Sequence, residues 1–346
     1  MKPGQKVTPT AILLATAGQP EDEWLELRRT GIGGSDVAAL LGMDPYTSPA
    51  EVYLRKRGEL PDFPDSPALA RAARWGHLHE DLIAAEFARA TGLRTRRIGL
   101  ICHQAEPWRL ASLDRQVLGC PDGPCGLEIK NRSAWKASEW GPSGDPDGVP
   151  DREALQTHWY LGVTGFGHFH VGVLINGNDD RYYRLEADQA LAKEVTAIAA
   201  EFWQRVLDGT PPPLDGSDAT AGLLDRLWQG DAGSEQVVDP VVARPLLSER
   251  DALAEQIAEL AERRARCENQ LKALLRDKEV AVADGEVLYT WRQNSTFRQR
   301  QFAEEQPELA ARYTHLTEVP KLDTRALAAD KPETYRAYRA RQFRAA

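Results

Sequence analysis

The 346-residue chain is poor in the features that mark several protein classes. Its four cysteines are too few for a disulfide framework in a chain of this length. No apolar run approaches the ~18 residues that a bilayer span needs. The first twenty residues hold one short apolar patch, Ala11 to Leu14, and lack the longer stretch and cleavage site of a secretory leader. A cytoplasmic location is expected. Positive charge is not in surplus: 43 Lys and Arg against 52 Asp and Glu give a net charge of −9. That excludes a protein that coats nucleic acid through bulk charge. It leaves room for a DNA enzyme, whose active centre is itself built of carboxylates.

The pattern that is present reads as an α/β protein, with a central mixed β-sheet flanked by helices. Residues 1–20 are expected as a tail. Residues 21–57 form short helices, one capped by Ser35 and Asp36 and another opened by Ser48-Pro49. A longer amphipathic helix spans 66–91, with apolar Leu69, Ala72, Leu78, Leu82, Ile83 and Phe87, and Gly92 as its stop. The period then changes to that of strands over Arg97–His103, Trp108–Leu118 and Gly126–Asn131. The run Cys120-Pro-Asp-Gly-Pro-Cys125 turns between the last two. A helix over 151–163, a hairpin of Phe166–Ile175 with Arg181–Leu185, and a helix over 188–207 complete a domain of residues 21–209.

Thr210-Pro-Pro-Pro213 is a stiff break. Residues 210–245 are expected as linker and short helices, and 246–346 as a helical C-terminal extension. Leu246, Leu253, Ile257, Leu260, Cys267, Leu271 and Leu274 form a heptad stripe on a helix over 246–278. It is either a coiled coil for a partner or a helix folded back within the chain. A short strand is expected over Val287–Trp291. The last stretch, 321–346, carries seven Lys and Arg against three Asp and Glu. Its Tyr335, Tyr338 and Phe343 suit either DNA stacking or docking on the core.

The chemistry concentrates in the hairpin from Leu110 to Asn131. Asp114 lies before the turn, Glu128 and Lys130 after it, so the three come close across the pair. Alternation puts Glu128 and Lys130 on one face, roughly 6.6 Å apart along the strand, with Leu127 and Ile129 facing a core. Two neighbouring carboxylates repel, and a hard divalent cation such as Mg²⁺ relieves that. This is the logic of the PD-(D/E)xK nucleases, in which Lys130 orients water or stabilises charge on phosphate. Without the metal the same triplet is an ordinary strand ion pair. Asp122 spells the motif literally after Pro121, but it sits in the turn and is expected to accept a turn hydrogen bond.

Five segments in order resemble the YqaJ viral-recombinase family, a lambda-exonuclease-like branch of those nucleases. They are Trp24 to Asp36 (WLELRRTGIGGSD), Trp75 to Glu80 (WGHLHE), Leu110 to Asp114 (LASLD), Gly126 to Lys130 (GLEIK) and Gln156 to Gly165 (QTHWYLGVTG). The resemblance covers about residues 21–209 and implies a restriction-endonuclease-like core. It assigns Asp114 and Glu128 as metal ligands, with the Ile129 carbonyl as a third and Glu80 completing the centre. Lys130 is implied as catalytic, with Gln156 holding a water or phosphate. Arg28, Ser35 and Ser112 match positions that hold the 5′-phosphate of a DNA end. Three residues depart from the family pattern: Leu113 in place of proline, Arg115 in place of glycine and His158 in place of a second glutamine. Arg115 adds charge beside the centre, where it either contacts DNA or damps metal affinity.

His77 and His79 lack the spacing of a usual zinc site. Cys102, Cys120 and Cys125 precede the region where cluster-bearing relatives place most of their cysteines, so no iron–sulfur cluster is expected.

The expected function is therefore a Mg²⁺-dependent DNA exonuclease, with Mn²⁺ as a substitute. It acts 5′→3′ on linear duplex ends and passes single strands to an annealing protein in phage-type recombination. The resemblance also implies a homo-trimer. The alternatives are an endonuclease or nickase in defence, and a catalytically silent DNA-binding scaffold.

Overall fold

A computed structural model describes residues 2–63, 67–228, 230, 234–292, 299–313, 322–332 and 335. The chain forms two compact units, Met1–Gln229 and Gly230–Ala346. Among the described residues, no helix is long and apolar enough to cross a membrane.

The first unit runs β1 (Ala11–Ala15), α1 (Glu21–Arg29), α2 (Gly34–Leu40), α3 (Pro49–Arg57), α4 (Pro67–Thr91), β2 (Arg94–Arg96), β3 (Leu100–His103), β4 (Leu110–Ser112), β5 (Arg115–Leu118) and β6 (Cys125–Arg132). It continues through α5 (Asp151–Thr164), β7 (His168–Ile175), β8 (Asp179–Glu186), α6 (Gln189–Asp208) and α7 (Asp218–Leu227). Five strands form a mixed sheet in the order β2-β5-β6-β7-β8. Within this sheet β6 and β7 pair in parallel and the other pairs are antiparallel, and α5 makes the crossover that a parallel pair requires. A smaller sheet has the order β1-β3-β4.

The strand expected over 108–118 is divided between the two sheets. β4 pairs with β3, whereas β5 pairs with β2 and β6. Leu113 is buried at the crossing, in a core with Ile32, Val37 and Tyr160. Asp114 thus sits where the chain passes from one sheet to the other. Alternation along β6 sends Cys125, Leu127 and Ile129 against Ile83, Ala84 and Phe87 of α4. That helix packs its apolar side chains on the sheet through Ile83, Ala84 and Phe87. Leu78 and Leu82, expected on its buried face, are 55% and 60% exposed.

The unit is larger than the expected domain at both ends. The apolar patch of the expected tail is β1, whose Ala11, Leu13 and Ala15 are buried and which pairs with β3. Part of the expected linker is α7, capped by Ser217. Its Leu223 is buried, and its Arg226 forms an ion pair with Glu51 of α3.

The second unit holds α8 (Pro240–Leu275), the hairpin β9 (Val280–Ala283) and β10 (Glu286–Thr290), and the short helices α9 (Gln299–Glu305), α10 (Pro307–Tyr313) and α11 (Thr324–Asp330). α8 begins inside the expected linker, where the Asp239 side chain caps it. Leu246, Leu253, Ile257, Leu260, Leu271 and Leu274 are all exposed, so the heptad seam faces solvent. Tyr338 and Phe343 lie outside the described residues.

One buried ion pair fixes α3 to α2. Lys56 Nζ lies 2.6 Å from Asp36 Oδ2, with the two side chains only 2% and 1% exposed. The same nitrogen donates to the Arg28 carbonyl at 2.9 Å. Burial raises the Asp36 carboxyl, but the Lys56 and Arg28 charges outweigh it and hold the group below its usual value of 3.8. A depressed carboxylate stabilises the fold above its unfolded pKa and loses that contribution as pH falls through the folded value. Lys56→Met is expected to cost about 3 kcal/mol at neutral pH, because it leaves a buried charge short of its partner. Urea unfolding of both proteins checks this. The gap between them should narrow as pH falls, first through the raised Asp36 carboxyl of the variant and then through the depressed one of the wild type.

Candidate metal centre

Five side chains converge where β5, β6 and α5 meet. Asp114 Oδ2 accepts the backbone N–H of Ile129 across the hairpin at 2.7 Å, which aims its carboxylate along β6. Glu128 is 2% exposed, and its Oε1 accepts from Lys130 Nζ at 2.5 Å. Gln156 bridges the two: its Oε1 accepts from Lys130 at 3.0 Å and its Nε2 donates to Glu128 Oε1 at 2.8 Å. One turn further along α5, the Tyr160 hydroxyl accepts from Gln156 Nε2 at 2.9 Å. The face expected from alternation is therefore formed, with α5 supplying its lid.

The electrostatics are those of a site that wants a cation. Burial first, and then the Glu128 charge, push the Asp114 carboxyl well above its usual value, against the opposing pull of Lys130. Burial and the same two carboxylates also push the Tyr160 hydroxyl up. Glu128 Oε2 is buried without a hydrogen-bond partner. An ionised oxygen in that state is costly unless something outside the protein binds it. An all-oxygen site with two carboxylates suits a hard divalent ion such as Mg²⁺ or Mn²⁺. The residues present fit such an ion, with Asp114 and Glu128 as its holders.

A cleft of about 600 Å³ opens in front of this centre. Asp114, Glu80 and Gln156 line it, and so do Arg28, Ser35 and Ser112. Members of both predicted groups thus line one cavity, whereas Glu128, Ile129 and Lys130 are not among its lining residues. Arg28 donates to Ser35 Oγ at 2.6 Å and lies over the Trp24 ring at 4.9 Å. Gly34 lets α2 approach this closely, because a Cβ there would stand 2.5 Å from Tyr160 Cε1. Glu80 is held by His77 Nδ1 at 3.2 Å and lies 3.7 Å from Arg115.

Arg115 is buried and committed to Asp81 at 2.5 Å and to the Asp114 carbonyl at 2.5 Å. It neutralises the acidic rim beside the centre. Asp122 is exposed and paired with Arg184, away from the carboxylates. His79 binds the Trp75 carbonyl at 2.7 Å. Sequence reasoning gave no role to Tyr160, although its spacing of four from Gln156 puts both on one helix face. It also gave none to Lys56, whose partner Asp36 is recognisable only in three dimensions.

Asp114→Asn keeps an oxygen for the Ile129 N–H and removes one of two facing charges. The metal-free variant is expected to gain on the order of 1 kcal/mol of stability. It should also lose Mn²⁺ binding measured by calorimetry. Unchanged Mn²⁺ affinity would show that the carboxylate pair is not the metal holder.

Residues 23–167 match the YqaJ-like viral recombinase domain. The protein YqaJ of Bacillus subtilis (strain 168), itself described as uncharacterized, is 32% identical over 272 residues, covering 78% of this chain and 82% of that protein. Among solved structures, an alkaline exonuclease (LHK-Exo) from Laribacter hongkongensis is 20% identical, with a TM-score of 0.43 over 55% of this chain and 94% of that one. LHK-Exo in complex with dAMP gives 20% identity and a TM-score of 0.45, over 60% of this chain and 97% of that one. With a relative of this identity and coverage, and with the domain match spanning Arg28 to Lys130, the chain belongs to the YqaJ-like viral recombinase family.

Proposed function

We propose that this protein is a Mg²⁺-dependent deoxyribonuclease that degrades linear double-stranded DNA from its ends, 5′→3′. The single strand it leaves would be taken up by an annealing protein in recombination. The observation that carries the reading is the buried carboxylate pair, with Glu128 Oε2 unpartnered, set beside Lys130 and behind a cleft that also holds Arg28.

Each group has a task that follows from its position. The metal, when bound, polarises the phosphodiester and lowers the pKa of a water. Asp114 and Glu128 hold it, and the Ile129 N–H keeps Asp114 aimed. Glu80 extends the ligand set from α4. Lys130, fixed from two sides by Glu128 and Gln156, presents its ammonium to the charge that grows on the phosphate. Arg28, with Ser35 and Ser112, offers a guanidinium fork and two hydroxyls to a terminal phosphate. Trp24 and Asp36 pre-orient that guanidinium. A terminal-phosphate pocket in the same cleft as the metal favours an enzyme that starts at an end.

Incubation of linear duplex with Mg²⁺, with and without a 5′-phosphate, tests this. The wild type should release nucleotides from the phosphorylated end first and leave covalently closed circles intact. Lys130→Ala should slow release by about 10²–10³-fold. Arg28→Ala should abolish the preference for phosphorylated ends while sparing metal binding. Cutting of closed circles at the same rate would make the enzyme an endonuclease. No release by the wild type would overturn the proposal.

A further inference from the structure

The opposite end of the same hairpin gathers a second set of metal-ligating groups, of a different chemical kind. Cys120 and Cys125 flank the turn between β5 and β6. His168 and His170 belong to β7, which pairs in parallel with β6 and sets His168 opposite Cys125. The two sulfurs and one ring nitrogen from each histidine all lie within 4.8 Å of one another. Cys120 Sγ is 3.3 Å from His168 Nε2. His170 Nε2 is buried without a hydrogen-bond partner. Cys125 and His168 are buried, at 0% and 2% exposure. We propose that Cys120, Cys125, His168 and His170 bind one structural Zn²⁺ ion.

The geometry suits a single tetrahedral ion. Bonds of about 2.3 Å to sulfur and about 2.0 Å to nitrogen put neighbouring S and N ligands about 3.5 Å apart. The Cys120–His168 separation is already close to that. A two-iron cluster with two cysteines and two histidines would hold each pair on a separate iron and need a wider set. Thiolate and imidazole ligands favour zinc over the hard ions that suit Asp114 and Glu128.

The charge balance also suits zinc. A neutral His170 imidazole offers its buried, unpartnered Nε2 as a ligand atom. Zinc binding displaces both thiol protons to solvent, and two thiolates with two neutral imidazoles leave the site uncharged. Four protein ligands close the coordination sphere, which is the pattern of a structural site.

Its consequence is mechanical. The ion would bolt the β5–β6 turn to β7. His170 also packs on Phe87 of α4, with ring centroids 5.2 Å apart. The Asp122–Arg184 ion pair lies beside the site, with Arg184 opposite His170 in the β7–β8 ladder. The hairpin that carries Asp114 and Glu128 at one end would thus be clamped at the other. In sequence the signal is a Cys-x₄-Cys turn and a distant His-x-His, which only the parallel pairing brings together.

The full chain, purified from cells grown with added zinc and dialysed, should carry one equivalent per chain by elemental analysis. Cys125→Ser and His170→Gln should lose it, whereas Cys267→Ser and Glu128→Gln should keep it. Reconstitution of the stripped wild type with Co²⁺ should give thiolate charge-transfer and tetrahedral d–d bands, a readout that needs no variant to fold. Stripping should lower Tm by about 10 °C, and added Zn²⁺ should restore it. Zinc-free wild-type protein with no cobalt–thiolate band and no Tm response to Zn²⁺ would overturn the proposal. So would a Cys120–Cys125 disulfide in the native protein. Neither result bears on the nuclease reading, which rests on Asp114 and Glu128.

Discussion

The site depends on one backbone contact, the Ile129 N–H donated to Asp114 Oδ2 across the hairpin. It fixes a carboxylate at the crossing between two sheets, directly beside a second, buried one. Two such charges side by side destabilise a protein on their own. The surrounding structure offsets that cost in parts. Lys130 and Gln156 satisfy one oxygen of Glu128, Arg115 pairs with both Glu80 and Asp81, and the remaining Glu128 oxygen has no hydrogen-bond partner. Strain of this sort persists where the surrounding fold over-determines it, which is the usual condition of a functional site.

The over-determination comes from packing on both faces of β6. Leu127 and Ile129 are held by α4, and Glu128 and Lys130 by α5. The N-terminal helices then close the cleft from above the carboxylates. Gly34 seats α2 on Tyr160, and the Asp36–Lys56 pair ties α2 to α3. Arg28 inherits its position from both, through Ser35 and Asp36. The proposed anion pocket and the proposed cation site are therefore built by one set of contacts.

Much of this was legible in the sequence, because it rests on local rules. Alternation along Gly126–Asn131 predicted which side chains share the active face, and the turn residues Pro121 to Pro124 placed Asp114 across from Glu128. The same turn logic removed Asp122, which pairs with Arg184 instead. The rest depends on long-range pairing. Nothing local says that the strand through Leu113 changes sheets, or that the patch at Ala11–Ala15 joins β3 as an edge strand. Leu78 and Leu82 fit a helical stripe, yet α4 extends past the sheet and leaves them in solvent. A short helix such as α7 was expected after the proline run, but its docking was not, because Arg226 finds Glu51 only through the fold. The cysteine pair and the histidine pair carry no meaning apart and acquire one only through the β6–β7 register.

The central claim is that Asp114 and Glu128 form a cation site beneath the cleft. The most direct measurement is an anomalous-scattering map from a crystal of the protein soaked in Mn²⁺. The account predicts a peak in coordination contact, about 2.1 Å, with a carboxylate oxygen of Asp114 and with Glu128 Oε2. A well-ordered site with no peak there, or with Glu128 Oε2 bonded to a protein group instead, would contradict it.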